Sequence, residues 1–257
     1  MPLKLILSVI LINIHVLATQ QVLFIHGNAE DRTYWTDTEN SLSHDVEKAV
    51  DESNVFYANY LTEEEINNPV GNYHRPLLYE RIKKTIDKMN GDKIIIVAHS
   101  FGVTLTLATL EYYKLWGRVK KFVAFAGALR GLESCKLYGP YNTFVPTCYG
   151  QSKNDPYVFG FYPGSARINS WMGPLQYAFR NMPRRYPSVD FHSVSIGVDD
   201  VILCRDFVSS HNCYKTALFN EYGQNSRNYI FEGEGLDHFQ LPHNTDRTFA
   251  LNLILNE

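Results

Sequence analysis

Lys93-Ile94-Ile95-Ile96-Val97-Ala98-His99-Ser100-Phe101-Gly102-Val103-Thr104-Leu105-Thr106-Leu107 is the most informative stretch of the 257-residue chain. Its first half is apolar without alternation, which predicts a strand over Lys93–Ala98 buried on both faces, as a central parallel strand must be. Its second half opens a helix running from Phe101 to about Leu115. The corner between them holds Ser100, with Ala98 two positions before it and Gly102 two positions after. A serine on so sharp a strand-to-helix turn needs tiny residues at both places, because the bend presses their backbones against neighbouring elements. The string reads as a nucleophile elbow, with the helix dipole facing the Ser100 hydroxyl. Ser193-Val194-Ser195-Ile196-Gly197 has a similar outline but lies within a predicted strand with no helix after it, so Ser195 is set aside.

Outward from this corner, short β-branched and aromatic runs alternate with longer amphipathic ones, the pattern of strands separated by helices in a mostly parallel sheet. Strands are expected at Val22–Ile25, Val55–Tyr60, Lys93–Ala98, Phe122–Ala126, Val189–Ile196 and Asn228–Phe231. Helices are expected from about Trp35 to Val50, over Pro76–Met89, from Phe101 to about Leu115, and over Thr245–Leu255. The Pro76 helix has a proline suited to its first turn, Leu78, Ile82 and Ile86 on one face, and Gly91 beyond its end. From about 127 to 188, Gly, Pro and aromatic residues crowd without a period, which reads as an insert. The fold class expected is therefore α/β: a central sheet of about six strands flanked by helices, with a cap-like insert. No repeat, low-complexity tract or linker divides residues 19–257, so they are read as one domain.

Composition fits that reading. Hydrophobic residues make up 45% and charged residues 20% of the chain, so a large core can form. With 27 acidic and 24 basic side chains the net charge is -3 and basic runs are absent, which gives no electrostatic reason to expect nucleic acid as a partner. Residues 1–18 read as a signal peptide: Lys4, then an apolar run over Leu5–Leu17, then Val16 and Ala18 at the small-residue positions before a cleavage site. A helix over that run would span about 20 Å, short of the ~30 Å hydrocarbon core of a bilayer. No other stretch approaches membrane-spanning length, so a secreted, extracellular chain without a transmembrane segment is expected. Cys135, Cys148, Cys204 and Cys213 form an even set that allows three pairings. Pairing between chain neighbours, Cys135 with Cys148 and Cys204 with Cys213, is the simplest, each closure contributing about 3 kcal/mol. Their spacing does not suit zinc, and no metal site is expected.

Chemistry is expected where the strands end. Leu23-Phe24-Ile25-His26-Gly27-Asn28 closes the first strand with a tight turn that can point the Asn28 N–H toward Ser100, while His26 is read as structural. With the Phe101 N–H it would make an oxyanion hole. Beyond the fifth strand, Gly197-Val198-Asp199-Asp200-Val201-Ile202 offers two carboxylates; Asp200 is preferred because an apolar run follows it, with Asp199 as the alternative. Ahead of the final helix, Gly233-Glu234-Gly235-Leu236-Asp237-His238-Phe239 supplies His238 as the base, with His243 as the alternative and Asp237 as loop structure. Serine, acid and base in that order support acyl transfer without metal or organic cofactor, with activity falling below about pH 6 as the imidazole protonates.

These residues together resemble an α/β-hydrolase, and specifically the small secreted class 2 lipases whose elbow has Ala in place of the first Gly. Gly131-Leu132-Glu133-Ser134-Cys135, Pro146-Thr147-Cys148 and Phe159-Gly160-Phe161-Tyr162-Pro163 in the insert also resemble the extracellular polyhydroxybutyrate depolymerases that share a lipase-type elbow. The resemblance implies Ser100 as nucleophile, Asp200 as acid and His238 as base of a carboxylic ester hydrolase. It implies a lipid or other small ester as substrate, presented in solution or at a lipid–water or polymer surface. Aromatic residues of the insert, from Tyr138 to Phe179, suit apolar acyl groups or pack a cap over the sheet. The other readings carried forward are a depolymerase of short hydroxyacid polyesters and a non-catalytic lipid or protein binder.

Overall fold

A computed structural model describes residues 20–37, 41–68, 73–139, 145–163, 165, 168, 178–197, 200, 202–203, 213–221, 224–232 and 236–256. The signal-peptide segment, Asp199 and Cys204 lie outside the described residues. Six strands form one sheet: β1 (Gln21–Ile25), β2 (Val55–Ala58), β3 (Ile94–His99), β4 (Val119–Phe125), β5 (Asp190–Ile196) and β6 (Ser226–Phe231). Their order is β2-β1-β3-β4-β5-β6 and every pairing is parallel. In this arrangement β1 and β3 lie side by side in the sheet, with Ile25 opposite Ala98, so the turns that follow them emerge together at the carboxyl edge.

All six β3 residues are buried, as their unbroken apolar run requires. The helix after it, Phe101–Tyr112, is buried from Phe101 to Glu111 and has no polar face. Its hydroxyls stay satisfied because Thr106 and Thr109 donate to the carbonyls of Gly102 and Leu105, one turn back. The other described helices cover Thr33–Thr36, Leu42–Val50, Glu63–Asn67, Pro76–Ile86, Met182–Arg185, Leu241–Asn244 and Arg247–Leu255.

Several expected boundaries move, each for a local reason. The helix expected from Trp35 to Val50 is two: Ser41 accepts the His44 N–H and starts a new helix at Leu42, while the Ser43 hydroxyl donates to the Trp35 carbonyl. Strand β2 stops at Ala58 because Tyr60 turns inward, stacks on His26 at 4.2 Å and donates to the His26 and Gly27 carbonyls. Strand β4 begins three residues earlier than its apolar run suggested. Lys121 there is buried, its ammonium donating to the Leu253 and Asn256 carbonyls at the end of the last helix, which makes a lysine acceptable in a central strand. The Pro76 helix ends at Ile86, three residues short of the expected Met89.

The described parts of the insert are short 3-10 turns, including Glu133–Leu137 and Pro146–Cys148, pinned by a Cys135–Cys148 disulfide. Its Phe159, Phe161 and Phe179 are buried in the core rather than lining an open cap. His74 joins the insert to the helix after β3: its ring stacks on Phe159 at 4.1 Å, with Nδ1 donating to the Phe159 carbonyl and Nε2 2.9 Å from the Thr104 hydroxyl. Burial pushes the His74 pKa down to about 3, so this imidazole is neutral. No described helix is long and apolar enough to cross a membrane.

Candidate active site

The corner after β3 is as tight as its sequence demands. Ser100 has φ 51° and ψ -120°, a conformation that side-chain-bearing residues rarely adopt, held by its N–H donating to the Phe125 carbonyl at 2.9 Å. A Cβ on Gly102 would sit 2.2 Å from the His26 carbonyl oxygen, so only glycine lets the helix pack against the end of β1. The elbow and the turn after β1 are thereby pressed together. A Cβ on Gly27 would come within 3.2 Å of the Ser100 Cβ.

Asp200 and His238 reach this corner from the loops beyond β5 and β6. The Asp200 carboxylate is fully buried; its Oδ1 accepts the N–H groups of Ile202 and Leu203 at 3.0 and 2.8 Å. Both of its oxygens lie 2.9 to 3.0 Å from His238 Nδ1. A carboxylate can only accept, so Nδ1 carries the proton and Nε2 is left bare. Nε2 lies 2.7 Å from the Ser100 hydroxyl, which donates to it. Burial lowers the His238 pKa below its ordinary value, against the opposing effect of the Asp200 hydrogen bond. The neutral imidazole is thus the resting form near neutral pH, oriented to accept a proton from Ser100.

Phe101 is the first residue of its helix, so its N–H has no intrahelical acceptor. Asn28 stands in the turn after β1, where the Gly27 N–H is taken by Glu30 at 2.7 Å and both preceding carbonyls by Tyr60. Ala29 follows at φ 55°, completing the turn. His26 is wholly buried, its Nδ1 donating to the Gly27 carbonyl, and burial lowers its pKa to about 4.

The alternative residues lie elsewhere. His243 packs edge-on against Tyr34 and Trp35, and Asp237 accepts the Gln240 N–H at the start of the short helix after it. Ser195 is buried within β5. The pairing of Cys204 with Cys213 falls on residues whose side chains are outside the description. Among the described residues, no cluster of three or more His, Cys, Asp or Glu could hold a metal ion.

Three further side chains meet here that sequence reasoning passed over. His99 Nε2 donates to the His238 carbonyl at 2.8 Å, Tyr34 stacks on the His99 ring, and the Glu30 carboxylate lies 3.6 Å from His99 Nδ1. Burial alone would raise the Glu30 pKa, but His99 and the Gly27 N–H outweigh it and hold it low. Only the place of His99 between Ala98 and Ser100 could have drawn attention to it.

A parallel sheet with a serine on a strained corner after β3, and with acid and imidazole on the loops after β5 and β6, defines the α/β-hydrolase fold. Solved structures with that fold match nearly the whole chain. A Bacillus licheniformis lipase in its propeptide form aligns at TM-score 0.52 and 12% identity, over 93% of this chain; this chain spans about half of it, 51%. An extracellular α/β-hydrolase from a Paenibacillus species aligns at 0.52 and 13% identity, over 93% of this chain and 100% of that one. A structure from the metagenome-derived lipolytic enzymes LipS and LipT aligns at 0.51 and 12% identity, over 90% of each chain. No protein-family model matches the chain, and neither does any curated protein.

Proposed function

We propose that this protein is a serine hydrolase of neutral carboxylic esters, with Ser100 as nucleophile, His238 as general base and Asp200 as its orienting acid. The observation that carries the proposal is the unbroken line from Asp200 through Nδ1 and Nε2 of a buried, neutral imidazole to the hydroxyl of a strained serine. In this reading His238 takes the Ser100 proton as Oγ bonds to the acyl carbon, and the carbonyl electron pair moves onto oxygen. The Asn28 and Phe101 N–H groups hold that oxyanion, where one donor is worth about 3–4 kcal/mol. The tetrahedral adduct collapses, the imidazolium gives its proton to the departing alcohol, and an acyl-enzyme remains. Water then attacks with the same base, and the acid is released.

Apolar acyl groups suit the surroundings. Phe239, directly after His238, is 45% exposed and offers an apolar ring beside the base. The disulfide and the leader-like first residues support secretion, since such bridges persist in oxidising compartments. Lipolytic names among the similar folds accord with an ester substrate. Initial rates on p-nitrophenyl esters of increasing chain length, a p-nitrophenyl ester with a charged acyl group, triglyceride emulsions and a hydroxybutyrate polymer test the reading, with Ser100→Ala as control. Turnover of uncharged esters that vanishes in Ser100→Ala is expected. Equal turnover in the variant, or a preference for charged esters over apolar ones, overturns it; preference for the polymer assigns a polyester depolymerase instead.

A further inference from the structure

We propose that His99 and Tyr34 are positioning residues for hydrolysis at Ser100, acting on His238 through its backbone; this rests on the reading of the site given above. His99 is fully buried, and its ring lies 5.2 Å from that of His238. Its Nε2 lies 2.8 Å from the His238 carbonyl oxygen, which only accepts, so Nε2 carries a proton and donates. The Tyr34 ring lies parallel to that imidazole, with centroids 4.7 Å apart and an interplanar angle of 10°. From there the Tyr34 hydroxyl donates to the next carbonyl, that of Phe239, at 2.7 Å.

Two stacked rings therefore grip two successive carbonyls, at the base and just after it. One ring belongs to the elbow and the other to the short helix following the oxyanion turn. Beside the stack, the Glu30 carboxylate accepts the Gly27 N–H at 2.7 Å and lies 3.6 Å from His99 Nδ1. Nucleophile, oxyanion turn and base loop, which lie far apart in sequence, are thus tied by side chains outside the Ser100–His238–Asp200 line, with the His99 ring 5.2 Å from the His238 ring. Asp200 sets the rotation of the imidazole; His99 and Tyr34 set the place of the backbone from which it springs.

The consequence is separable from binding. Small misplacement of a base slows proton transfer while leaving the acyl pocket intact, so loss is expected in kcat with KM little changed. In His99→Asn the amide does not reach the His238 carbonyl, and kcat is expected to fall about 10- to 100-fold; Tyr34→Phe, which keeps the ring, is expected to fall about 5-fold. In His99→Gln the side-chain nitrogen reaches the position of Nε2, and most of the lost rate is expected to return. The three variants and wild type are compared by kcat and KM on a short-chain p-nitrophenyl ester, by the rate of fluorophosphonate labelling, and by thermal midpoint.

Loss of kcat and labelling rate in His99→Asn and Tyr34→Phe at near wild-type KM, with recovery in His99→Gln, bears the inference out. Rates within twofold of wild type in both disruptive variants, a loss that falls on KM, or a Gln variant as slow as Asn overturns it. Should His99→Asn fail to fold, Tyr34→Phe decides alone. A labelled wild type with unaffected variants removes the positioning role and leaves the hydrolase reading standing. A wild type that neither labels nor turns over ester removes both.

Discussion

Replacing Asp200 with Asn tests the site through a single atom. Oδ1 is held by the Ile202 and Leu203 N–H groups, so the amide oxygen of Asn takes that place, 3.0 Å from His238 Nδ1 but already accepting two backbone donors, and its NH2 falls where Oδ2 stood, 2.9 Å from Nδ1. A donor now faces Nδ1. The imidazole answers by keeping its proton on Nε2, which then donates toward Ser100 and can no longer accept from it. Loss of the correct tautomer is worth about three to four decades in kcat, or about 4–5.5 kcal/mol of transition-state stabilisation. Stability should change little, within about 1 kcal/mol, because both backbone hydrogen bonds survive and a neutral amide is easier to bury than a carboxylate. The assay is ester hydrolysis beside a urea denaturation curve. A folded Asp200→Asn protein retaining more than a tenth of wild-type kcat would show that His238 does not depend on a carboxylate for its tautomer.

The acid limb of kcat/KM should titrate below 6.5, because burial disfavours the His238 imidazolium; an apparent pKa of 7 or above in the pH–rate profile would count against that cause. Stability should fall as pH drops below 6.5: the unfolded chain protonates there, whereas His26 and His74 stay neutral down to about 4 and 3. By pH 5 the loss is on the order of 2 kcal/mol for each, read as a lower urea midpoint than at pH 7, and equal midpoints would contradict it. Gly102→Ala, whose Cβ would sit 2.2 Å from the His26 carbonyl oxygen, should cost about 1–3 kcal/mol and displace the turn carrying Asn28. Calorimetry and ester turnover check both effects, and a variant with unchanged midpoint and rate would show that the corner has slack.

How much was legible in the sequence follows from the kind of constraint each residue obeys. Ala98, Ser100 and Gly102 answer to local sterics, and local sterics leave a spacing that can be read along the chain. The strand before them could be placed to within one residue because burial on both faces excludes polar residues. Asp200 and His238 could be nominated from their order and from the strands they follow, and the structure brings both to Ser100. The grip of His99 and Tyr34 on the base loop leaves no such trace, since it joins residues 139 and 205 positions apart through backbone carbonyls that any amino acid supplies. Strand β4 starts ahead of its apolar run for a related reason: carbonyls at the end of a distant helix satisfy the Lys121 ammonium inside the fold. The insert was least legible, because its Gly, Pro and aromatic residues follow no period, and what fixes its described part is the Cys135–Cys148 bridge and contacts with His74.

Treating the protein with a fluorophosphonate at neutral pH and mapping the adduct by peptide mass spectrometry tests most directly whether Ser100 is an activated nucleophile. A phosphonylated peptide bearing Ser100 is expected, with labelling lost in Ser100→Ala and slowed at least a hundredfold in Asp200→Asn. No adduct on folded protein, or an adduct on another serine that persists in Ser100→Ala, would contradict it.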